Sequence, residues 1–365
     1  MPLYGIFAIA VLMIVHECGH YFAARAFGMR VERFSIGFGP SLVRHRSKAS
    51  DTVFQLAAVP FGAYVQIAGM NPFEEADPTD KGSYANASLV GRIVAILAGS
   101  LANYFFASVV FFASMMIGGK AVETTELRIL PGGAADKAAL VDGDRLVAID
   151  GRKIGSWTEL RTTVRENPGK RLEVTVLRGG VEKKLFTTPE RGKDGAGAIG
   201  VSPMPAPMPV GEALRESIAE PAMIVALTVK SLYRVVTGQE KGQLSGPLGM
   251  MRETEKAAGY GLASYLAIIG FLSTSVGFFN LLPVPALDGG RLLFLAYEGI
   301  TRRRPNQKRE AQMHTLGFVV LITTILLVTI REFRSGKSPS EEAAEREKAE
   351  AEAAKASPGA KAPAR

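Results

Sequence analysis

The sequence predicts a polytopic α-helical membrane protein with four transmembrane helices, a membrane-associated β-hairpin and an inserted α+β module. Three observations carry that expectation. Apolar residues are concentrated in four blocks of bilayer-spanning length instead of being spread evenly through the 365 residues. Cations cluster beside those blocks, and residues 122–189 change to short β-branched runs, glycine-rich turns and one compact helix.

The first block, within residues 1–27, runs apolar from Leu3 to Phe27 except at one pentad and Arg25. No Lys or Arg precedes it and no small-x-small cleavage site follows, so it is expected to stay in the mature protein. Residues 28–88 are assigned to a β-hairpin region and loop. Val53-Phe54-Gln55-Leu56 and Ala63-Tyr64-Val65-Gln66-Ile67 alternate like strands, and Pro60 and Gly62 between them suggest that the two runs pair with each other. Residues 71–86 read as a polar loop, and residues 89–119 as the second span, with Ala98-Gly99-Ser100 and Asn103 inside it.

The module at 122–189 includes Leu172-Glu173-Val174-Thr175-Val176-Leu177 as a strand, and Ser156 with Glu159 as the capping box of its helix. Residues 190–261 read as a linker, stiffened by Pro203, Pro205, Pro207 and Pro209, followed by amphipathic helices that begin at Val210. The third span is assigned to 262–300, a loop to 301–315, the fourth span to 316–332, and an Ala, Glu, Lys and Pro-rich disordered tail to 333–365.

The net charge of +8 raises nucleic acid as a partner, but the cations form no aromatic-interleaved patch, and no nucleic-acid partner is expected. They orient the chain instead. Arg25, Arg30, Arg33, Arg44, Arg46 and Lys48 follow span one, and Arg302, Arg303, Arg304, Lys308 and Arg309 precede span four, so both loops are expected in the cytoplasm. Four spans then leave both termini and the middle module outside. The single cysteine excludes an intrachain disulfide framework.

The chemistry sits in His16-Glu17-Cys18-Gly19-His20. On a helix, His16 and His20 share a face one turn apart, a two-point zinc grip. Glu17 is rotated about 100° from His16 and can reach a water without being a ligand. Cys18 points nearly the opposite way and is excluded as a ligand. HExxH also arises by chance in soluble helices, but within a membrane span nothing else would offset burying three polar side chains. The pair lies roughly 22 to 29 Å along the span, near its cytoplasmic end. A catalytic zinc needs a third protein ligand, and Asp288, in Asn280-Leu281-Leu282-Pro283-Val284-Pro285-Ala286-Leu287-Asp288-Gly289-Gly290, is expected at the same depth. The prolines and glycines around it cannot continue a helix, and broken backbone at membrane depth belongs in a protein interior or a wet cavity. An interfacial turn capped by Asp288 explains the prolines too, but not the shared depth.

These two motifs together resemble the site-2 protease family of intramembrane zinc metalloproteases, peptidase family M50. Val31-Glu32-Arg33-Phe34-Ser35-Ile36-Gly37-Phe38-Gly39-Pro40 and Leu244-Ser245-Gly246-Pro247 resemble its bacterial RseP-type branch, and the likeness runs from about Gly5 to Ile330. It implies one catalytic Zn2+ held by His16, His20 and Asp288, with Glu17 as general base and Asn280 binding substrate. The family's usual proline after Ala98-Gly99 is Ser100 here, which puts local packing near Asn103 in question. The middle module resembles a single PDZ domain through Leu130-Pro131-Gly132-Gly133-Ala134-Ala135 and Gly143-Asp144-Arg145-Leu146, and would either accept a peptide or C-terminus or act as a steric size filter.

The activity that the resemblance implies is endopeptidase cleavage within the transmembrane segment of a single-span protein, such as an anti-sigma factor or a remnant signal peptide, in a bacterial inner membrane. A substrate helix must be unwound before water can reach its peptide bonds. The hairpin, with Gly62 and Tyr64 as expected substrate contacts, offers an edge strand for pairing with the unwound chain, or else only seals the rim. Two other classes compete. A zinc-free scaffold would not need Glu17 and three ligands, and a transporter would be expected to show an internal repeat.

Overall fold

The computed structural model describes residues 3–71, 77–120, 123–130, 132–192, 195–239 and 246–335. In chain order the helices and strands are α1 (Leu3–Ala26), β1 (Val31–Arg46), β2 (Val53–Ile67), α2 (Leu89–Gly118), β3 (Leu127–Ile129), α3 (Ala134–Lys137), β4 (Arg145–Ile149), β5 (Arg152–Lys153), α4 (Trp157–Glu166), β6 (Leu172–Arg178), β7 (Val181–Thr187), β8 (Glu190–Arg191), β9 (Gly197–Ala198), β10 (Val201–Pro203), α5 (Val210–Val236), α6 (Pro247–Gly259), α7 (Leu262–Asn280), α8 (Asp288–Thr301) and α9 (Gln307–Ser335). They form two compact units, one of residues 1–114 with 210–336, the other of residues 115–209. The tail expected to be disordered, Leu244 and Ser245 of one motif, and Pro131 of another lie outside the described residues, apart from the tail's first three positions, 333–335, which continue α9.

In the first unit, α1, α2, α7 and the stretch Lys308–Arg334 of α9 are long and apolar enough to cross a bilayer. Small residues set their spacing. A Cβ on Gly19 of α1 would lie 2.1 Å from the carbonyl oxygen of Ala98 on α2, so the two backbones touch. Gly270 of α7 meets the ring of Phe111 in the same way, within 2.8 Å of a would-be Cβ. Between them Ala8, Leu12, Val110, Ile269 and Leu272 form an apolar cluster. Helix α1 ends at Gly28, whose φ of +77° lets Met29 N–H turn back to the Ala24 carbonyl.

The β region corrects the hairpin expectation. Ala63–Ile67 and Val53–Leu56 do not pair with each other; they flank the start of β1, with Ile36 facing Ala63 on one side and Leu56 on the other. Val53–Leu56 also pairs with Val43–Arg46, across the turn at 47–52, so one hairpin of two long strands folds into four short rows. Two short rows alone are marginal, and the added rows satisfy backbone groups on both sides of β1. Ala63–Ile67 is left as an edge.

The expected third span of 262–300 is two helices. α7 stops at Asn280, Leu281–Leu287 turns through Pro283 and Pro285, and α8 starts at Asp288. The loop expected at 301–315 is likewise shorter, since α9 already begins at Gln307, with Asn306 Oδ1 accepting from Lys308 N–H at its start.

The second unit has a sheet in the order β5-β4-β6-β7, with the pairs β3–β10 and β8–β9 beside it. Leu127, Leu146, Ile149, Leu160, Leu172, Val174, Val176 and Ile199 form its core. Ser156 Oγ accepts from Glu159 N–H at 3.2 Å and Glu159 accepts from Gly155 N–H at 3.0 Å, the expected helix start. The boundary at 189 is too early. β10, from the stretch read as linker, pairs with β3, and Ile199 belongs to the core, because β3 would otherwise expose an unpaired edge.

Candidate metal centre and cleft

Helix periodicity puts His16 and His20 on the buried face of α1, where their side chains are about nine-tenths hidden. Their rings meet edge to face, with centroids 4.7 Å apart. Nε2 of His16 and Nε2 of His20 lie 3.1 Å apart, and Oδ2 of Asp288 lies 3.1 Å from the first and 3.2 Å from the second. Two ligands on a zinc ion with bonds near 2.0–2.1 Å and tetrahedral angles are separated by about 3.3 Å. The three donor atoms therefore match the footprint of one such ion, and they are the only group of three potential metal-ligating side chains among the described residues.

The surroundings prepare the lone pairs. His20 Nδ1–H donates to the carbonyl of Ala95 at 2.7 Å; a carbonyl only accepts, so the proton is on Nδ1 and Nε2 is bare. His16 Nδ1 lies 3.3 Å from the side-chain amide nitrogen of Asn103, while Asn103 Oδ1 is buried without a partner. Turning the amide end over exchanges the two atoms. Oδ1 then accepts from Nδ1–H, and His16 Nε2 also presents a lone pair. The orphaned oxygen thereby gains a partner, and His16 Nε2 is left free to face the other two donor atoms. Gly99 makes room for both rings, because a Cβ there would lie 2.4 Å from His20 Nε2 and 2.8 Å from His16 Cε1.

The centre opens on a cleft of about 800 Å3. Glu17, Tyr64, Asn280 and Asp288 line it with the two histidines, as do Arg291, His314 and Phe318. Ala63–Ile67, the sheet's edge, forms one wall. Gly62, expected as a substrate contact, does not line the cleft. It has φ +84° and a Cβ there would lie 2.7 Å from the ring of Phe38, so its role is to let the strand bend beneath that ring. Tyr64 stacks on Phe38 at 5.8 Å, and its hydroxyl accepts from Arg33 and Gln55, each at 3.4 Å. Cys18 is a half-buried free thiol outside the donor group.

The sequence reading missed Ala95, Gly99 and His314, and took Asn103 only as a packing residue. Asn103 carried a signal, as an amide inside an apolar span. His314 lay hidden in what read as a loop. Ser100, in place of the family's proline, leaves α2 unbroken, and its buried hydroxyl finds no partner.

A model of peptidase family M50 matches residues 4–324. The chain belongs to peptidase family M50. It is 29% identical to a protein of Geobacillus kaustophilus named zinc metalloprotease RasP, over 87% of this chain and 94% of the relative. A RasP of Bacillus licheniformis is 28% identical over 87% and 95%. A relative from Nostoc sp. reaches 30% identity over 90% of this chain and 94% of its own length. Two imidazoles and one carboxylate are among the donor sets that hold catalytic zinc, and the donor atoms present here fit that group.

Outside the cleft lining, Arg92 on α2 grips Glu298 of α8 through two hydrogen bonds, Nη1 to Oε2 at 3.0 Å and Nη2 to Oε1 at 2.6 Å. That contact holds the Glu298 carboxyl below its ordinary range. It ties the far end of α8, whose first residue is Asp288, to the helix that carries Gly99 and Asn103.

Proposed function

We propose that this chain is an intramembrane metalloendopeptidase that hydrolyses peptide bonds within the transmembrane segments of single-span proteins. Its class, a zinc metalloprotease, is that of its family and of the RasP relatives. The intramembrane reading is carried by one observation: two donor atoms are borne by α1, a helix apolar enough to cross a bilayer, and the third by Asp288, the first residue of α8, which a turn brings to the same point.

His16, His20 and Asp288 would hold Zn2+, which when bound supplies Lewis acidity to polarise a scissile carbonyl and acidify water. Glu17 follows His16 on α1 and lines the same cleft, so its carboxylate can take the proton of the attacking water and deliver it to the leaving nitrogen. The edge Ala63–Ile67 can receive an unwound substrate segment as an added strand, fixing the peptide bond beside Glu17. Asn280, at the end of α7, offers its amide to substrate backbone across the cleft. Tyr64 contributes a wall that its own hydroxyl contacts hold rigid. No covalent intermediate is required.

The flanking cations support our reading that the site lies near the cytoplasmic side of a bacterial inner membrane, with residues 115–209 on the outer side. We read that unit as one PDZ domain, able to take a peptide or newly cut C-terminus by strand addition. Anti-sigma factors and remnant signal peptides fit as substrates.

Glu17→Gln keeps the volume and removes the base. In purified protein with a single-span substrate it is expected to keep zinc and lose cleavage by at least 10²-fold. Undiminished cleavage would exclude Glu17 as the base, and zinc retained by His16→Ala would exclude the ligand set.

A further inference from the structure

The turn that delivers Asp288 is held from outside by one side chain. Pro283 and Pro285 have no N–H, so five backbone donors remain between residues 281 and 287. Leu281 and Leu282 donate back to Phe278 and Phe279 at 3.0 and 3.1 Å, Val284 to Leu282 at 2.6 Å, and Leu287 to Val284 at 3.1 Å. The fifth, Ala286 N–H, donates across to Nδ1 of His314 on α9 at 3.0 Å. Ala286 also has φ +80°, which a residue with a side chain holds only where its surroundings impose it.

The same face of α9 grips the turn again one step on. A Cβ on Gly317 would lie 2.5 Å from both Cβ and the carbonyl oxygen of Pro285, so α9 backbone rests on that proline. The His314 ring is steadied from the other side by Phe294 of α8, with centroids 5.6 Å apart. Because Nδ1 accepts, the ring proton is on Nε2, and Nε2 is buried with no partner. A leucine would fill the space without an orphaned donor. What the imidazole adds is the acceptor at Nδ1.

We propose that His314 is a positioning residue for the third metal ligand: Nδ1 locks the turn around Ala286 and thereby fixes Oδ2 of Asp288 against the two histidines. This rests on the reading of Asp288 as a ligand. It deepens that reading by assigning α9 a part in building the centre, although the helix supplies none of the three donors.

The test uses the full chain in detergent and reads zinc affinity by competition with a chelator, alongside kcat and KM on a single-span substrate. His314→Leu is expected to weaken zinc by about 10- to 100-fold, the range for partners that orient ligands. Saturating zinc should restore its kcat, with KM little changed. His314→Asn, whose Oδ1 can accept from Ala286, should recover most of the affinity; His314→Ala replaces the leucine variant if that one does not fold. Wild-type zinc affinity in the leucine or alanine variant overturns the proposal. So does an asparagine variant as weak as leucine, since the acceptor would then not matter. Asp288→Ala separates the two levels: if it binds zinc as tightly as wild type, the ligand reading itself fails.

Discussion

The two units of this chain solve packing in opposite ways. Residues 115–209 close over Leu, Ile and Val, and their fully buried carboxylate, Asp144, is gripped at 2.7 Å by both Nε and Nη2 of Arg178. Around His16 and His20 the helices touch through Gly19, Gly99 and Gly277, and the interior is polar. Of eight buried side-chain polar atoms without a partner among the described residues, seven belong to the membrane unit and only Thr187 Oγ1 to the other. Such orphans cost stability wherever they occur. Two of them, at Ser100 and His314, lie beside Gly99 and Ala286, which shape the donor site, and a third, Asn103 Oδ1, meets His16 once its amide is turned; there geometry is held for chemistry and not for burial. The other unit leaves one such atom among the described residues, and its core is aliphatic.

The largest effect expected from a single change follows from that contrast. Gly99→Ala adds one methyl, yet its Cβ would lie 2.4 Å from His20 Nε2 and 2.6 Å from Cε1 of the same ring. The ring must leave its donor position or α2 must back away from α1, where Gly19 already meets Ala98. Zinc affinity should fall by about 10- to 100-fold or more and cleavage with it, while thermal unfolding of residues 115–209 stays where it was. A Gly99→Ala protein that binds zinc normally would show that the two helices do not define the donor geometry.

How far this was legible beforehand depends on the kind of signal. His16, Glu17, His20 and Asp288 stood out because ionisable groups in apolar sequence are rare, and the four spans because length and hydropathy suffice to find them. The break at Pro283 and Pro285 was legible from the absence of N–H groups, although the start of a separate helix at Asp288 was not. The β region misled because local alternation says which runs are strands, not which runs pair; Ile36 between Ala63 and Leu56 is a tertiary outcome. Gly99 and His314 were illegible for the same reason. A glycine declares nothing about the ring that approaches it, and a histidine assigned to a loop gives no sign that its acceptor meets a backbone donor 28 residues earlier.

A cavity in the core of residues 115–209 should act on stability and spare the site. Leu146, on β4 and fully buried, packs in the core with Leu127, Val174 and Val176. Leu146→Ala is expected to destabilise residues 115–209 by about 2–5 kcal/mol. The chain's one tryptophan, Trp157, packs against the same core, so its fluorescence reports this unfolding in the intact protein. Zinc affinity at the membrane centre should be unchanged; a parallel loss would mean that the two units do not unfold independently.

The smallest effect is a pH dependence confined to the same unit. Burial alone would raise the Asp144 carboxyl, but the two hydrogen bonds from Arg178 and one from Val141 N–H outweigh it and hold the group below the ordinary Asp range. A carboxyl depressed in the folded state stabilises that state above its unfolded pKa, about 3.9, and the contribution is lost as pH falls through the folded value. Trp157 fluorescence should therefore show the unfolding midpoint of residues 115–209 dropping as pH is lowered below about 4. Asp144→Asn removes the titrating group and leaves Arg178 facing a neutral amide. The variant should be less stable than wild type at pH 7, and the gap between them should narrow on acidification. A gap that stays constant from neutral pH down to about 3 would mean that Arg178 holds Asp144 by shape alone, and the contrast between a fully paired buried charge and the orphaned groups of the membrane unit would lose its energetic basis.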